Sequence, residues 1–106
     1  MEKTLNFTID GKDYTLAFTR KTIIATENMG FNLVEVTSKP IKSMTYLWRG
    51  AFLAHHDTLT IEEVDEIFAK IDKNGLLDAL LDIYKAPIDS LFDEDNGKNV
   101  VRWTIN

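Results

Sequence analysis

The chain has 106 residues, 44% of them hydrophobic and 27% charged, with no cysteine and a net charge of −5. That length suits one core of modest size, and the composition excludes a disordered polymer, a disulfide scaffold, a thiol nucleophile and a thiolate metal site. No apolar run approaches the ~20 residues of a spanning helix, and the opening MEKTLNFTID has no apolar signal region, so a soluble, intracellular protein without membrane contact is expected.

Taken in chain order, the pattern predicts an α+β fold: an N-terminal β-hairpin packed on a mainly α-helical domain of about four helices, with a short C-terminal strand as a candidate addition. The hairpin covers residues 3–18. Leu5, Phe7 and Ile9 alternate with polar residues, Asp10-Gly11 makes the turn, and Tyr14, Leu16 and Phe18 resume the alternation. A lone two-stranded hairpin is only marginally stable in water, so it must lie on something, and the helices are what the sequence offers. It also leaves strand edges to which another strand could add.

The first helix spans about residues 20–29, with Thr19 as its cap, Gly30 as its stop and a weak apolar pattern. The second spans about residues 41–55, with Pro40 tolerated in its first turn, and places Ile41, Met44, Trp48, Ala51, Phe52 and His55 on one face. Tyr46, Leu47 and Leu53 widen its apolar surface, which marks it as the central helix. Thr60 and Glu63 form a capping box that starts the third helix, residues 61–73, with Ile61, Val64, Ile67, Phe68 and Ile71 as its buried stripe. The fourth, residues 76–92, carries Leu77, Leu80, Leu81, Tyr84, Ile88 and Leu91 down one side. Leu76, Ile83 and Phe92 fall outside that stripe, and Pro87 is expected to kink or interrupt the helix. Residues 1–95 thus form one predicted globular unit. Residues 96–106, with Val101, Trp103 and Ile105 in alternation, are either a strand joining the hairpin or a tail that exposes Trp103 as a partner contact.

No catalytic constellation emerges, and a non-enzymatic binding protein without metal or cofactor is expected. His55 and His56 are adjacent and point about 100° apart on a helix, so they cannot readily share a metal ion; His55 is expected in the core and His56 at the surface. DEDNGKN has the composition of a calcium loop but not its glycine and glutamate register. Charge is unevenly spread: residues 57–95 hold twelve acids against three lysines, whereas the flanking segments are each slightly basic. This argues against nucleic-acid binding and for attraction between opposite ends of neighbouring molecules.

A chain with TLNFTIDGKDYTLAFT, NMGFNLVEV, a Trp-containing helix, LTIEEVDEIFAKI and NGKNVVRWTIN, in that order, resembles the tail assembly chaperones of long-tailed bacteriophages, particularly those of Gram-positive hosts. The resemblance implies a chaperone that acts in the host cytoplasm, self-associates, coats the aggregation-prone tape measure protein, helps recruit tail tube protein and is absent from the finished virion. It also implies a longer product made by ribosomal frameshifting. Gly97-Lys98-Asn99 is compatible with a slippery A-AAA-AAY heptamer, whereas the other Lys-Asn pair follows Asp72, whose codons cannot end in A. The partner contacts expected on this reading are Leu76, Leu77, Leu80, Ile83, Tyr84, Phe92 and Trp103, with Leu77, Leu80 and Tyr84 equally assignable to the core. Two other classes compete. One is a small acidic inhibitor or nucleic-acid mimic, whose binding salt would weaken; the other is a structural tail-completion protein that stays in the particle.

Overall fold

The structure, a computed structural model, describes residues 2–93, 101 and 103–105. Strands β1 (Leu5–Ile9) and β2 (Lys12–Leu16) pair antiparallel, with Leu5 opposite Leu16 and Ile9 opposite Lys12. Asp10 and Gly11 both have positive φ, 52° and 77°. This is the backbone a two-residue turn between right-twisted strands requires, and Asp-Gly supplies it at little steric cost. Four helices follow: α1 (Arg20–Met29), α2 (Pro40–Ala51), α3 (Ile61–Lys70) and α4 (Leu76–Asp93), with a 3-10 turn at Leu33–Glu35 before α2. The fold is α+β, a hairpin followed by four helices.

Helix α2 sits at the centre and contacts α1, α3 and α4, as its broad apolar surface predicts. The hairpin lies on its C-terminal half. The Phe7 ring stacks on Trp48 at 5.7 Å between centroids, Tyr14 meets Phe52 edge-on at 6.2 Å, and Leu16 is fully buried. The backbone is tied as well. On the edge of β2 that β1 does not use, the Ala17 N–H donates to the Ala51 carbonyl (3.1 Å) and the Thr15 N–H donates to His56 Nε2 (3.1 Å). The Ala51 carbonyl belongs to the last turn of α2, where carbonyls have no intrahelical donor. A helix end and a strand edge thereby satisfy one another, and at these residues the β2 edge is not free for another strand.

His56 is expected at the surface and His55 in the core; in the structure His55 is exposed and His56 is half-buried. α2 ends at Ala51, four residues before the predicted end, and the turns beyond it bring His56 against Tyr14 and Phe52 while His55 faces out toward Glu2. Replacing His56 with alanine is expected to cost about 1–2 kcal/mol, because the Thr15 N–H loses its acceptor. A lower urea midpoint would show it, and His56→Gln, whose amide oxygen can accept the same bond, is expected to lose less.

Two glycines and a run of threonines explain how α1 packs. Gly30, at φ 126°, lets the chain reverse: its N–H donates to the Glu27 carbonyl (3.0 Å), and the next N–H, from Phe31, donates to the Thr26 carbonyl (3.3 Å). This closes the helix and turns Phe31 inward. Thr22 and Thr26 are buried, their hydroxyls bonded to the carbonyls of Thr19 and Thr22. With those hydroxyls satisfied locally, α1 can lie close to α2 at Gly50. Helix α3 opens with the predicted capping box: Glu63 N–H donates to the Thr60 hydroxyl, and the Thr60 N–H donates to the Glu63 carboxylate, which these bonds hold below the usual carboxylate range. α3 is fixed to α2 by Trp48 Nε1–H donating to the Val64 carbonyl (2.9 Å) and by a two-point ion pair between Arg49 and Asp65.

Several positions differ from the periodicity reading. Ile41 and Ile61 are exposed because each lies in the first turn of its helix, beyond the packed length. α3 ends at Lys70 rather than residue 73, and α4 runs through Pro87 without ending. The side of α4 that faces the core is centred on Leu76, Leu80, Ile83 and Tyr84, with Leu77, Leu81 and Ile88 half-buried at its flanks and Leu91 exposed. α4 is apolar round more than half its circumference, so periodicity alone left its rotation open. Phe18 and Phe31 fix it by closing edge-on against Tyr84 at 5.2 and 5.0 Å. The described residues of the C-terminal segment, 101 and 103–105, carry no strand assignment; the remainder of 94–106 lies outside the described residues.

Candidate partner-binding surface

Polar chemistry does not converge on any one place among the described residues. The two imidazoles are engaged separately, His55 Nε2 with the Glu2 carboxylate at 3.0 Å and His56 with the Thr15 N–H. No group of three or more His, Cys, Asp or Glu among the described residues is arranged to hold a metal ion, and no described helix is long and apolar enough to cross a membrane. Arg49 has its guanidinium held in the charged form by its bond to Asp65. Glu35, bonded by Lys42 and Lys39, has its carboxyl held below the usual range.

What remains is apolar. A groove of about 380 Å³ runs between α1 and the C-terminal part of α4. α1 contributes Arg20, Ile23, Ile24 and Glu27, positions that fall along one side of a helix; α4 contributes Pro87, Ile88, Ser90 and Leu91. Its floor is the core residue Ile23, and its walls are Ile24, 50% exposed, and Leu91, 55% exposed. Arg20 and Glu27 mark its rim with opposite charges. Tyr84 lies beneath, its hydroxyl donating to Glu27 (3.3 Å); burial, then the nearby Glu27 charge, push its pKa to about 12. It stays a neutral donor at any physiological pH and holds Glu27 at the rim. A groove of this shape takes an apolar side chain or the apolar stripe of an amphipathic segment.

Compared with known protein families, the whole chain, residues 1–106, matches the family described as "Domain of unknown function (DUF5055)". The chain belongs to the DUF5055 family. No curated protein and no solved structure matches it.

Among the described residues that line the groove of this DUF5055 domain, none is one of the partner contacts expected from its sequence. Leu76, Leu80, Ile83 and Tyr84, expected as partner contacts, are buried in the core, because the rotation of α4 turns them toward Phe18, Phe31 and α2. Leu77 is half-buried against the core. Trp103 is exposed, at 78%. Phe92 belongs to α4, but its side chain lies outside the described residues. Sequence reading missed Ile24, Ile88 and Leu91 as a group. The available signal was Ile23-Ile24 in an otherwise polar helix: two large apolar neighbours about 100° apart spread apolar surface wider than the rest of that helix could cover.

Proposed function

We propose that this DUF5055 protein is a non-catalytic binding protein: a phage tail assembly chaperone of the kind its sequence resembles, holding apolar stripes of the tape measure protein in the α1–α4 groove. The observation that carries this reading is the groove itself, an apolar cleft with half-exposed walls at Ile24 and Leu91. Many copies, each gripping one short amphipathic stretch weakly, hold a long helical client with high avidity yet release it stepwise. On this reading the protein works in the host cytoplasm, self-associates, leaves before the virion is complete, and helps bring tail tube protein to the client through a frameshifted form that diverges after Lys98-Asn99. Those two residues lie outside the described residues.

The test is co-expression with the long, helix-rich protein encoded downstream. Its solubility and its co-purification at high salt are the measured quantities. The expected result is a soluble client that stays bound at high salt, since apolar contacts are not screened, and loss of binding when Ile24 and Leu91 are both changed to aspartate in a chain that stays folded. A client that remains insoluble removes the reading. A complex that salt dissolves favours an acidic mimic acting through the carboxylates of residues 57–95.

A further inference from the structure

We propose that the α1–α4 groove is a docking site for the chain's own C-terminal segment, residues 101–105, laid along it in extended form with Trp103 inserted between Ile24 and Leu91. The segment and the groove are each left open. Val101, Trp103 and Ile105 are 87%, 78% and 87% exposed, and because they alternate, an extended backbone places all three on one side. Three large apolar side chains on five residues, without cover, favour any apolar surface within reach.

The dimensions match. From Arg20 to Glu27 the groove follows α1 for seven residues, about 10 Å at 1.5 Å per residue, and an extended run of five residues covers about 13 Å. A volume of about 380 Å³ accommodates an indole. The tether matches too. α4 ends at Asp93, Leu91 is within one helical turn of that end, and the eight steps from Asp93 to Val101 can span at most about 26–29 Å. The chain needs only to turn back over the last turn of α4.

That tether decides between this chain and a second copy as the source of the segment. Closing a loop of this size costs little entropy, and a short link holds the segment at a millimolar effective concentration near its own groove, above the concentration of free copies in ordinary solution. Charge does not choose the occupant, since Arg20 and Glu27 give the rim both signs; the apolar match and the tether do. The inference rests on the groove and not on any client, so the client experiment can fail without touching it.

Tryptophan fluorescence tests it on the intact chain. The chain has two tryptophans, Trp48, 1% exposed, and Trp103, so the difference between wild type and Trp103→Phe isolates Trp103. Docking predicts that acrylamide quenches Trp103 several-fold less in wild type than in the Ile24→Asp/Leu91→Asp chain, with no change across a dilution series. Should the charged pair fail to fold, Ile24→Ala/Leu91→Ala reads the same contact. A Trp103 that is freely quenched in wild type overturns the proposal, as does protection that survives the groove changes, which would place the segment elsewhere, for example on the hairpin edge. Protection that disappears on dilution also overturns it, in favour of a second copy.

Discussion

Adding a single methyl group at Gly50 is expected to destabilise the domain by about 2–3 kcal/mol, lowering its melting temperature by roughly 10–20 °C at ~4–8 °C per kcal/mol for a domain of this size. The sign is the informative part. In an exposed helix interior, glycine to alanine stabilises by about 1 kcal/mol, because alanine has the better helix propensity. Gly50 lies in the last turns of α2, buried where α1 crosses, and an added Cβ would stand 2.9 Å from both Cβ and Cγ2 of Thr26 and closer still to its hydroxyl oxygen. Thr26 cannot rotate away freely, since its hydroxyl is bonded to the Thr22 carbonyl at 2.7 Å in a fully buried position. The clash therefore has to be met by moving α1 from α2. Thermal melts of Gly50→Ala, Thr26→Ala and the double variant measure this: removing the Thr26 hydroxyl and methyl relieves most of the overlap, so the double variant is expected to be more stable than the sum of the singles by at least ~1 kcal/mol. If Gly50→Ala melts at or above the wild-type temperature, the α1–α2 approach is looser than the structure has it.

This contact also shows why parts of the fold were legible in the sequence and others were not. The hairpin, the Asp10-Gly11 turn, the Thr19 and Thr60 caps and the Gly30 stop are local events, each determined by a few neighbouring residues and their backbone preferences, and they stand where the sequence puts them. The centrality of α2 was legible because its apolar surface is wide. The packing face of α1 was not, because it packs with Thr22 and Thr26, which count as polar until their hydroxyls are seen to be satisfied within the helix. The exchange of His55 and His56 depends on where α2 ends, which is settled by Ala17 taking the Ala51 carbonyl from across the fold, a contact between residues far apart in sequence. The candidate site suffered most, since it depends on how far along α4 the other elements reach: Leu80 and Leu91 stand on the same side of the helix, and the first is covered while the second is not.

The position of the groove along α4 makes the sharpest prediction about function. Leu80 is fully buried and Leu91 is 55% exposed, so Leu80→Ala is expected to cost about 2–5 kcal/mol through lost burial and the cavity it leaves, while Leu91→Ala stays within about 0.5 kcal/mol of wild type. Urea unfolding gives both values. For binding the order reverses. At a temperature where Leu80→Ala is still folded, it is expected to hold the helix-rich client about as well as wild type, because the groove is formed by Pro87 to Leu91, about two to three turns further along the same side of α4. Leu91→Asp is expected to lose the client while keeping its unfolding midpoint, because a carboxylate placed against Ile24 cannot be desolvated without a partner. A folded Leu80→Ala that has lost the client, beside a Leu91→Asp that retains it, would move the binding surface to the covered N-terminal turns of α4. The protein would then have to open its core to bind, and client binding would weaken in every variant that stabilises the packed state of Phe18, Phe31 and Tyr84.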